Sequence, residues 1–333
     1  MVQTILERFE LVAPYAEDGI LRRWLGRNVY QEDGEPLLVS VTGFPAGVAS
    51  SERVRQLAQY EANLASQLVH PGIARTYAYG VDHDCIFFVT DLPIGESFAS
   101  IWERALMYDE RIPVSLSVLL LHETAEILHH AHTQRASDGL TLTAVHAGIS
   151  PDRLFLQPDG TVLVTDFGTG KILRRVNDFT EGQASEIANS YRAPEQVQNK
   201  TVGPSTDVFL MGAVLWELLS MQRLYPEELA QRDIAIVADE PEPPSNYNAA
   251  VTGTLDNVVL EALAKQPGDR FATAEDFAEA LRSFRDAMPL HGTVQEYLEE
   301  HFVDRLSAWR ELQTALAEND LHAALLAAKG SLV

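Results

Sequence analysis

Residues 145–168, VHAGISPDRLFLQPDGTVLVTDFG, decide the fold because their pattern runs from a loop to a strand, a turn and a second strand. Residues 154–156 form one short apolar run and residues 161–164 form another. A Pro-Asp-Gly triplet at 158–160 supplies turn chemistry between the two runs. The stretch therefore predicts a β-hairpin that follows a polar loop and ends in Asp-Phe-Gly.

This hairpin and its loop resemble the catalytic centre of the protein kinases, where the loop is H-R-D-L-K-P-x-N and the hairpin ends in D-F-G. In that family the loop Asp accepts the proton of the substrate hydroxyl, while the loop Asn and the D-F-G Asp hold Mg²⁺. The resemblance makes His146, Phe167 and Gly168 structural positions. It makes Asp166 a remnant of the nucleotide pocket.

Three functional positions of the loop differ from the family pattern. Gly148 replaces the base, Ser150 replaces the lysine that steadies the γ-phosphate, and Arg153 replaces the metal-binding Asn. We expect Arg153 to form a salt bridge with Asp166, so that a guanidinium takes the place of the metal ion. Asp152 stands at a variable position of the family pattern and is expected to point elsewhere.

Composition narrows the classes of partner. The 333 residues include 48 acidic and 25 basic side chains, and the formal net charge of −23 opposes binding to nucleic acid or to an anionic membrane surface. A protein partner, either basic or a signalling kinase, fits better. The single cysteine, Cys85, suits a reducing compartment, so we expect a cytoplasmic protein. The sequence predicts neither a targeting segment nor a membrane span up to Val333.

The first strands lack the family's phosphate-binding glycines. Strands are predicted over residues 9–13, 24–30 and 37–42. On the family pattern, Ala16, Asp18 and Leu21 stand at the three glycines of the first turn. A carboxylate at Asp18 would repel phosphate, and the other two side chains would block close backbone approach. An ordinary hairpin turn without a ligand is the favoured interpretation.

The strand lysine of the family is absent as well. Ser40 stands at its position, and the first lysine of the whole chain is Lys171. Leu38 stands where the family has a small alanine beneath the adenine ring, and together with Arg23, at the position of a valine, it would add bulk there. Glu61 matches the helix glutamate that pairs with the missing lysine, and it lies on a helix predicted over residues 51–69. We expect Glu61 to be solvated or captured by an arginine such as Arg23.

The segment after the predicted strands resembles the family's hinge, with Thr90 and Asp91 at the junction of the lobes. Its backbone could still bond an adenine edge. A long helix follows over residues 114–133 and carries histidines at 129, 130 and 132. Because ring nitrogens at successive helical positions diverge, a structural role for them is favoured over a metal site.

Residues 166–195 resemble an activation segment that closes on Ala-Pro-Glu, and we expect a mobile or partner-held loop there. Thr180 or Ser185 could be phosphorylated by another kinase, although a plain solvated loop is favoured. The resemblance also implies that Asp207 bonds the backbone of the catalytic loop. It further implies a buried ion pair between Glu195 and Arg270.

The chain after residue 288 keeps helical spacing of its apolar residues, which predicts a pair of helices. Their apolar face either packs on the large lobe, the favoured interpretation, or binds a partner helix. We therefore expect a small lobe over residues 1–92, a large lobe over 93–288 and a helical extension over 289–333.

Together these features predict an α+β, bilobal protein-kinase-like fold that resembles a bacterial Ser/Thr kinase with a degenerate site. The resemblance implies a catalytically inactive pseudokinase that acts as a regulator or scaffold for a protein partner, with neither ATP nor Mg²⁺ as an expected cofactor. The alternatives are a residual phosphotransferase or nucleotidyl transferase, and a nucleotide-binding pseudokinase without catalysis.

Overall fold

A computed structural model describes residues 3–31, 35–136, 139, 141–177, 190–225, 229–286 and 291–332. Within these residues a β-rich small lobe precedes a larger, mainly helical lobe. This is the two-lobed arrangement that the sequence predicts.

The small lobe is built on a six-stranded antiparallel sheet in the order β1-β2-β3-β4-β6-β5. Its strands are β1 (Gln3–Ile5), β2 (Phe9–Asp18), β3 (Leu21–Asn28), β4 (Leu38–Phe44), β5 (Thr76–Asp82) and β6 (Cys85–Asp91). Strands β2 and β3 are longer than predicted and pair as far as Asp18 opposite Leu21. Only Gly19 and Ile20 remain to make the turn, and Gly19 has a φ of 57°, which suits glycine.

Two helices, α1 (Ala46–Ala49) and α2 (Glu52–Ala65), cover this sheet. Helix α2 matches the predicted helix, and its buried face carries Val54, Ala58 and Ala62 at helical spacing. These side chains join an apolar cluster with Phe44 and Phe88 of the sheet. The spacing of the apolar residues is therefore sufficient to explain why α2 docks where it does.

The large lobe begins with a small sheet, β7 (Glu96–Ser97), β8 (Leu154–Leu156) and β9 (Val162–Val164), which contains the predicted hairpin. Its described helices are α3 (Phe98–Met107), α4 (Val114–Thr133), α5 (Thr169–Asn177), α6 (Pro194–Val197), α7 (Pro204–Ser220), α8 (Leu229–Ala238), α9 (Gly253–Ala262) and α10 (Ala274–Asp286). Helix α7 is buried along nearly all of its length and packs against α4, α9 and α10. No described helix is both long and apolar enough to cross a lipid bilayer.

Three further helices, α11 (His291–His301), α12 (Val303–Ala317) and α13 (Leu321–Leu332), complete the described chain. The favoured expectation that they pack on the large lobe is only partly right. Leu306 and Trp309 join the core of the large lobe. One and two turns further along α12, Leu312 and Ala315 pack against the small lobe instead. Helix α12 therefore packs against both lobes.

Candidate functional site in the cleft between the lobes

The Asp-Phe-Gly aspartate lies at the centre of the cleft and faces two arginines. Asp166 follows β9 with a φ of 64°, and its Oδ2 accepts a hydrogen bond from Nη2 of Arg23 on β3. The predicted ion pair with Arg153 is also present, because Arg153 Nε lies 3.6 Å from the same oxygen. All three side chains are largely or fully buried. Two guanidinium groups thus share one carboxylate.

These charges determine the ionisation of Asp166. Burial by itself would raise the pKa of its carboxyl, but Arg23 and Arg153 outweigh burial and hold that pKa below its usual value. The carboxylate is therefore charged at neutral pH and already neutralised from within the protein. A Mg²⁺ ion does not fit this donor set, because the oxygens that would bind it face two fixed cations.

The position of the family's base has no room for a side chain. Arg153 Nη1 donates to the carbonyl oxygen of Gly148. A Cβ added to Gly148 would lie 2.5 Å from that Nη1 and 2.9 Å from the Cα of Gly170. The neighbouring Ser150 is fully buried, and its hydroxyl has no hydrogen-bond partner among the described residues.

The expectation for Asp152 is wrong, because Asp152 lines the cleft beside Asp166 instead of pointing elsewhere. The short 3₁₀ turn Pro151–Arg153 directs Arg153 inward and leaves Asp152 half-buried at the mouth of the cleft. Burial raises the pKa of Asp152, although Arg153 and Arg23 oppose the shift. Asp152 is thus a carboxyl group of the cleft that no ion pair neutralises among the described contacts.

The position of the missing strand lysine is occupied by a polar pair that the sequence did not reveal. Ser40 is buried on β4, and its Oγ lies 2.6 Å from the phenolic oxygen of Tyr15 on β2. Burial raises the pKa of Tyr15, so the phenol stays protonated at neutral pH. The alternation of side chains along β2 could have indicated that Tyr15 faces the cleft. The bulges in β2 interrupt that alternation, so the sequence did not reveal it.

The residues at the three glycine positions belong to paired strands and not to an open loop. Ala16, Asp18 and Leu21 all belong to the paired part of β2 and β3. Leu21 is fully buried in the apolar cluster of α2. Asp18 is also buried; burial would lower the pKa of Arg23, but Asp166, with smaller contributions from Tyr15 and Asp18, outweighs burial and raises that pKa. The negative charge of Asp18 therefore supports the charged form of Arg23.

Arg23 lines the same cavity as the hinge residue Thr90, so its side chain adds bulk to the cleft. On β3 it pairs with Thr42 of β4, two residues further along β4 than Ser40, and its head group extends to Asp166. Leu38 pairs with Arg27, two residue pairs beyond Leu25, and therefore lies on the same face of the sheet. The inner face of the sheet is therefore polar at Arg23 and Ser40 and apolar at Leu25 and Leu38.

Glu61 is neither solvated nor bound to Arg23, so both expectations for it are wrong. Its carboxylate oxygens lie 2.9 and 3.0 Å from Nζ of Lys171, and its side chain is buried. Burial raises the pKa of Glu61, and Lys171 partly offsets that shift. Glu61 thus pairs with a lysine 110 residues further along the chain than itself, in place of the strand lysine of the family.

Lys171 lies on α5, a helix where the sequence suggested a mobile loop. Ile172, Leu173 and Val176 of α5 are buried in the cluster that α2 forms with the sheet. Gly168, with a φ of 87°, permits this approach, because a Cβ there would lie 2.9 Å from the Cβ of Glu61. The apolar pair at 172 and 176 has helical spacing and was the available signal. Thr180 and Ser185 lie outside the described residues.

The hinge residues stay ordered within the sheet. The carboxylate of Asp91 accepts hydrogen bonds from the backbone N–H of Arg75 at 2.8 Å and the hydroxyl of Tyr77 at 2.6 Å. Thr90 lines the cleft, where a cavity of about 200 Å³ remains. Typical small-molecule pockets measure about 300–1,000 Å³. The cavity beside the hinge is below this range by itself, but Glu17 and Asp152 also line a neighbouring cavity of about 450 Å³.

The loop before the hairpin is fixed by the positions that the resemblance marked as structural. Asp207 of α7 accepts hydrogen bonds from the backbone N–H groups of His146 at 2.9 Å and Ala147 at 2.7 Å. The His146 ring bonds the carbonyl oxygen of Thr165 at 2.8 Å and packs edge-on against Phe167. Burial lowers the pKa of His146 to about 4, so the ring is neutral.

The predicted pair of Glu195 and Arg270 is present and bidentate, with distances of 2.9 and 2.8 Å. Burial raises the pKa of the Glu195 carboxyl, but Arg270 and the hydroxyl of Thr206 more than offset this effect, so the pKa is lowered. The pair ties α6 to the turn before α10. It maintains the large lobe and lies away from the cleft.

The three histidines in the last turns of α4 each contact a different partner. His129 faces Glu275, His130 packs on His70, and His132 bonds Asp207 at 2.8 Å. Among the described residues, one group has ligand atoms close enough to hold a metal ion, namely His122, Glu123 and Glu126. Arginines 285 and 282 of α10 lie 3.2 and 3.7 Å from its two carboxylates, so salt bridges account for that group.

The fold and the cleft together define a two-lobed protein of the kinase class. The sequence model of the protein kinase domain matches residues 47–281 of the 333, and the chain belongs to that family. The site positions identified above differ from the family pattern at the base, the lysine and the second metal ligand.

Several known proteins are similar to this chain. A tyrosine-protein kinase of Myxococcus xanthus, MasK, is 29% identical over 309 residues, which cover 89% of this chain and 47% of that protein. The serine/threonine-protein kinase PrkC of Bacillus subtilis is 27% identical over 71% of this chain and 35% of its own length. The chain thus spans less than half the length of these relatives. The PknI kinase domain of Mycobacterium tuberculosis superposes with a TM-score of 0.63 at 21% identity, covering 83% of this chain and 95% of that one.

Proposed function

We propose that this chain is a pseudokinase, a non-catalytic kinase-family domain that regulates or holds a protein partner and uses neither ATP nor Mg²⁺. The observation that carries the proposal is the neutralisation of Asp166 by Arg23 and Arg153. Phosphoryl transfer depends almost entirely on positioning and on charge stabilisation by metal ions. A cleft whose metal-binding carboxylate is consumed by two arginines lacks the main source of that stabilisation.

Two further features support the proposal. The base position at Gly148 is closed by Arg153 and by the backbone of Gly170. The strand lysine that would pair with phosphates is replaced by Ser40, which bonds Tyr15.

The net charge of −23 favours a basic protein partner. We retain the division into a small lobe over 1–92, a large lobe over 93–288 and an extension over 289–333.

Two measurements on the purified chain test the proposal. Thermal melting with and without millimolar ATP and Mg²⁺ should give the same Tm, because a ligand stabilises only the state that binds it. Incubation with γ-labelled ATP and a basic protein should transfer no label. A Tm shift of several degrees without transfer would indicate a nucleotide-binding pseudokinase. Transfer that disappears when Asp166 is replaced would overturn the proposal.

A residual phosphotransferase is the second candidate, and the position of Asp152 favours it. This carboxyl lines the cleft, and its raised pKa brings it closer to the range of a general base. Named kinases among the relatives are consistent with such an activity. A pseudokinase should transfer no label. A residual phosphotransferase should transfer label, and the transfer should be lost in Asp152→Asn if Asp152 is the base.

Restoring the family residues should not create a kinase. In a triple variant with Ser40→Lys, Gly148→Asp and Arg153→Asn, the new Cβ at position 148 still lies 2.9 Å from the Cα of Gly170. The variant should remain inactive unless α5 moves away from the loop. Activity in this variant would show that the backbone of Gly170 does not block the base position.

A further inference from the structure

Helices α12 and α13 form a hairpin that covers the cleft from the hinge side. Leu312 and Ala315 of α12 join Ala324 and Ala328 of α13 in one buried apolar cluster. Both alanines of α13 have no exposed surface. Small side chains let this hairpin approach the small lobe closely, which a longer side chain at these positions would prevent.

The hairpin covers the surface that would otherwise face a nucleobase. The other members of its cluster are Leu25 of β3, Leu38 of β4 and Leu92, which directly follows β6. Leu25 and Leu38 belong to the apolar part of the inner face of the sheet. Leu92 belongs to the hinge. An apolar surface made by the sheet and the hinge is thus occupied by residues of the same chain.

Polar contacts fix the beginning of the hairpin to the large lobe. Arg305 Nε lies 2.9 Å from Oε1 of Glu96, whose side chain is completely buried at the start of the large lobe. Arg104 of α3 donates to the carbonyl oxygen of His301 at 2.9 Å, immediately before α12. Because these contacts hold one end and the apolar cluster holds the other, the hairpin connects the two lobes across the hinge.

We propose that the α12–α13 hairpin is an intramolecular ligand of the nucleobase side of the cleft and fixes the separation of the two lobes. A molecule that binds against Leu25, Leu38 and Leu92 must first displace the hairpin. The proposal is independent of the loss of phosphoryl transfer, since the same hairpin would also gate a catalytically active cleft. It assigns residues 303–332 to the domain itself and not to a free partner-binding surface.

Amide hydrogen exchange on the full-length chain, without nucleotide, tests the proposal. The variant is Leu312→Asp, which places a charge in the buried cluster, and Leu312→Ala serves if the first variant does not fold. The matched control is Leu326→Ala on the same hairpin, because Leu326 is 70% exposed. Helix α7 provides an internal reference, since it is the buried centre of the large lobe.

We expect exchange in residues 38–40, 90–94 and 303–328 to accelerate by about tenfold or more in the Leu312 variant, with α7 unchanged. The control should exchange as the wild-type chain does. If the hairpin exchanges freely while residues 38–40 and 90–94 keep their protection, the hairpin does not cover the cleft and the proposal is wrong. Equal acceleration in α7 would also overturn it, because the effect would then be global unfolding.

Discussion

Replacing Asp166 with Asn should destabilise this protein, although the substitution is nearly isosteric. The change removes the one carboxylate that Arg23 and Arg153 share and leaves two buried guanidinium groups facing a neutral amide. In a cleft that binds metal, the same substitution would instead relieve the repulsion of an unpaired carboxylate. The sign of the stability change therefore distinguishes an internal ion pair from a vacant metal site.

The magnitude follows from the geometry. At the 3.6 Å between Arg153 Nε and Asp166 Oδ2, an effective dielectric constant of about 20 gives a gross attraction of about 4–5 kcal/mol. Breaking a buried pair by removing one partner costs about 3–5 kcal/mol. The new amide oxygen still accepts one hydrogen bond, so we expect a loss near the lower limit, about 3 kcal/mol of unfolding free energy.

Thermal melting and urea unfolding at pH 7.5 measure this loss, which corresponds to a fall of about 5 °C or more in Tm. Asp152→Asn is the matched control, because Asp152 lies in the same cleft but burial raises its pKa, whereas the two arginines outweigh burial and lower the pKa of Asp166. That variant should stay within about 1 kcal/mol of the wild-type chain. If both variants melt together with the wild-type chain, the arginines do not depend on the Asp166 carboxylate, and the reasoning is refuted.

The pH dependence gives a second check on the same pair. The pKa of Asp166 is depressed in the folded protein, so its contribution is fully present above the unfolded value of about 3.8. The contribution is lost only as the pH falls through the folded value. The difference between wild-type and Asp166→Asn should thus be constant above about pH 5 and should shrink in stronger acid.

Three further predictions concern other buried charges. Burial raises the pKa of Glu96 to about 7, so the folded protein holds a proton that the unfolded chain releases. The unfolding free energy of the wild-type chain relative to Glu96→Gln should therefore fall by about 2 kcal/mol from about pH 5.5 to 8. A constant difference across melts at several pH values would contradict this prediction. Arg270→Met leaves Glu195 unpaired and should cost about 3–5 kcal/mol in urea unfolding, whereas a cost below about 1 kcal/mol would mean that the pair is solvated. Lys171→Met leaves the buried carboxylate of Glu61 without its cation and should accelerate amide exchange over α5 and α2. Lys171→Arg is the conservative control. Unchanged exchange in Lys171→Met would show that apolar packing alone holds α5.

The features that the sequence predicted are those with local spacing or a family signature at a fixed position. The β8–β9 hairpin follows from two apolar runs and a Pro-Asp-Gly turn, and α2 follows from its apolar period. The pair of Glu195 and Arg270 could be named in advance because each residue belongs to a recognisable motif. The salt bridge between Arg153 and Asp166 could also be predicted, because an arginine stands in the sequence where the family has a metal-binding Asn.

By itself, the amino-acid sequence determined that this chain has a kinase fold, and it identified the positions that differ from the family pattern. Only the tertiary structure decided what replaces them: Arg23 meets Asp166 across 143 residues, Lys171 meets Glu61 across 110, and α12 crosses to the small lobe. The physical reason is that long flexible side chains can reach several partners, and the choice among them depends on which charges burial brings together. That choice is made by packing between distant segments, which local spacing does not encode.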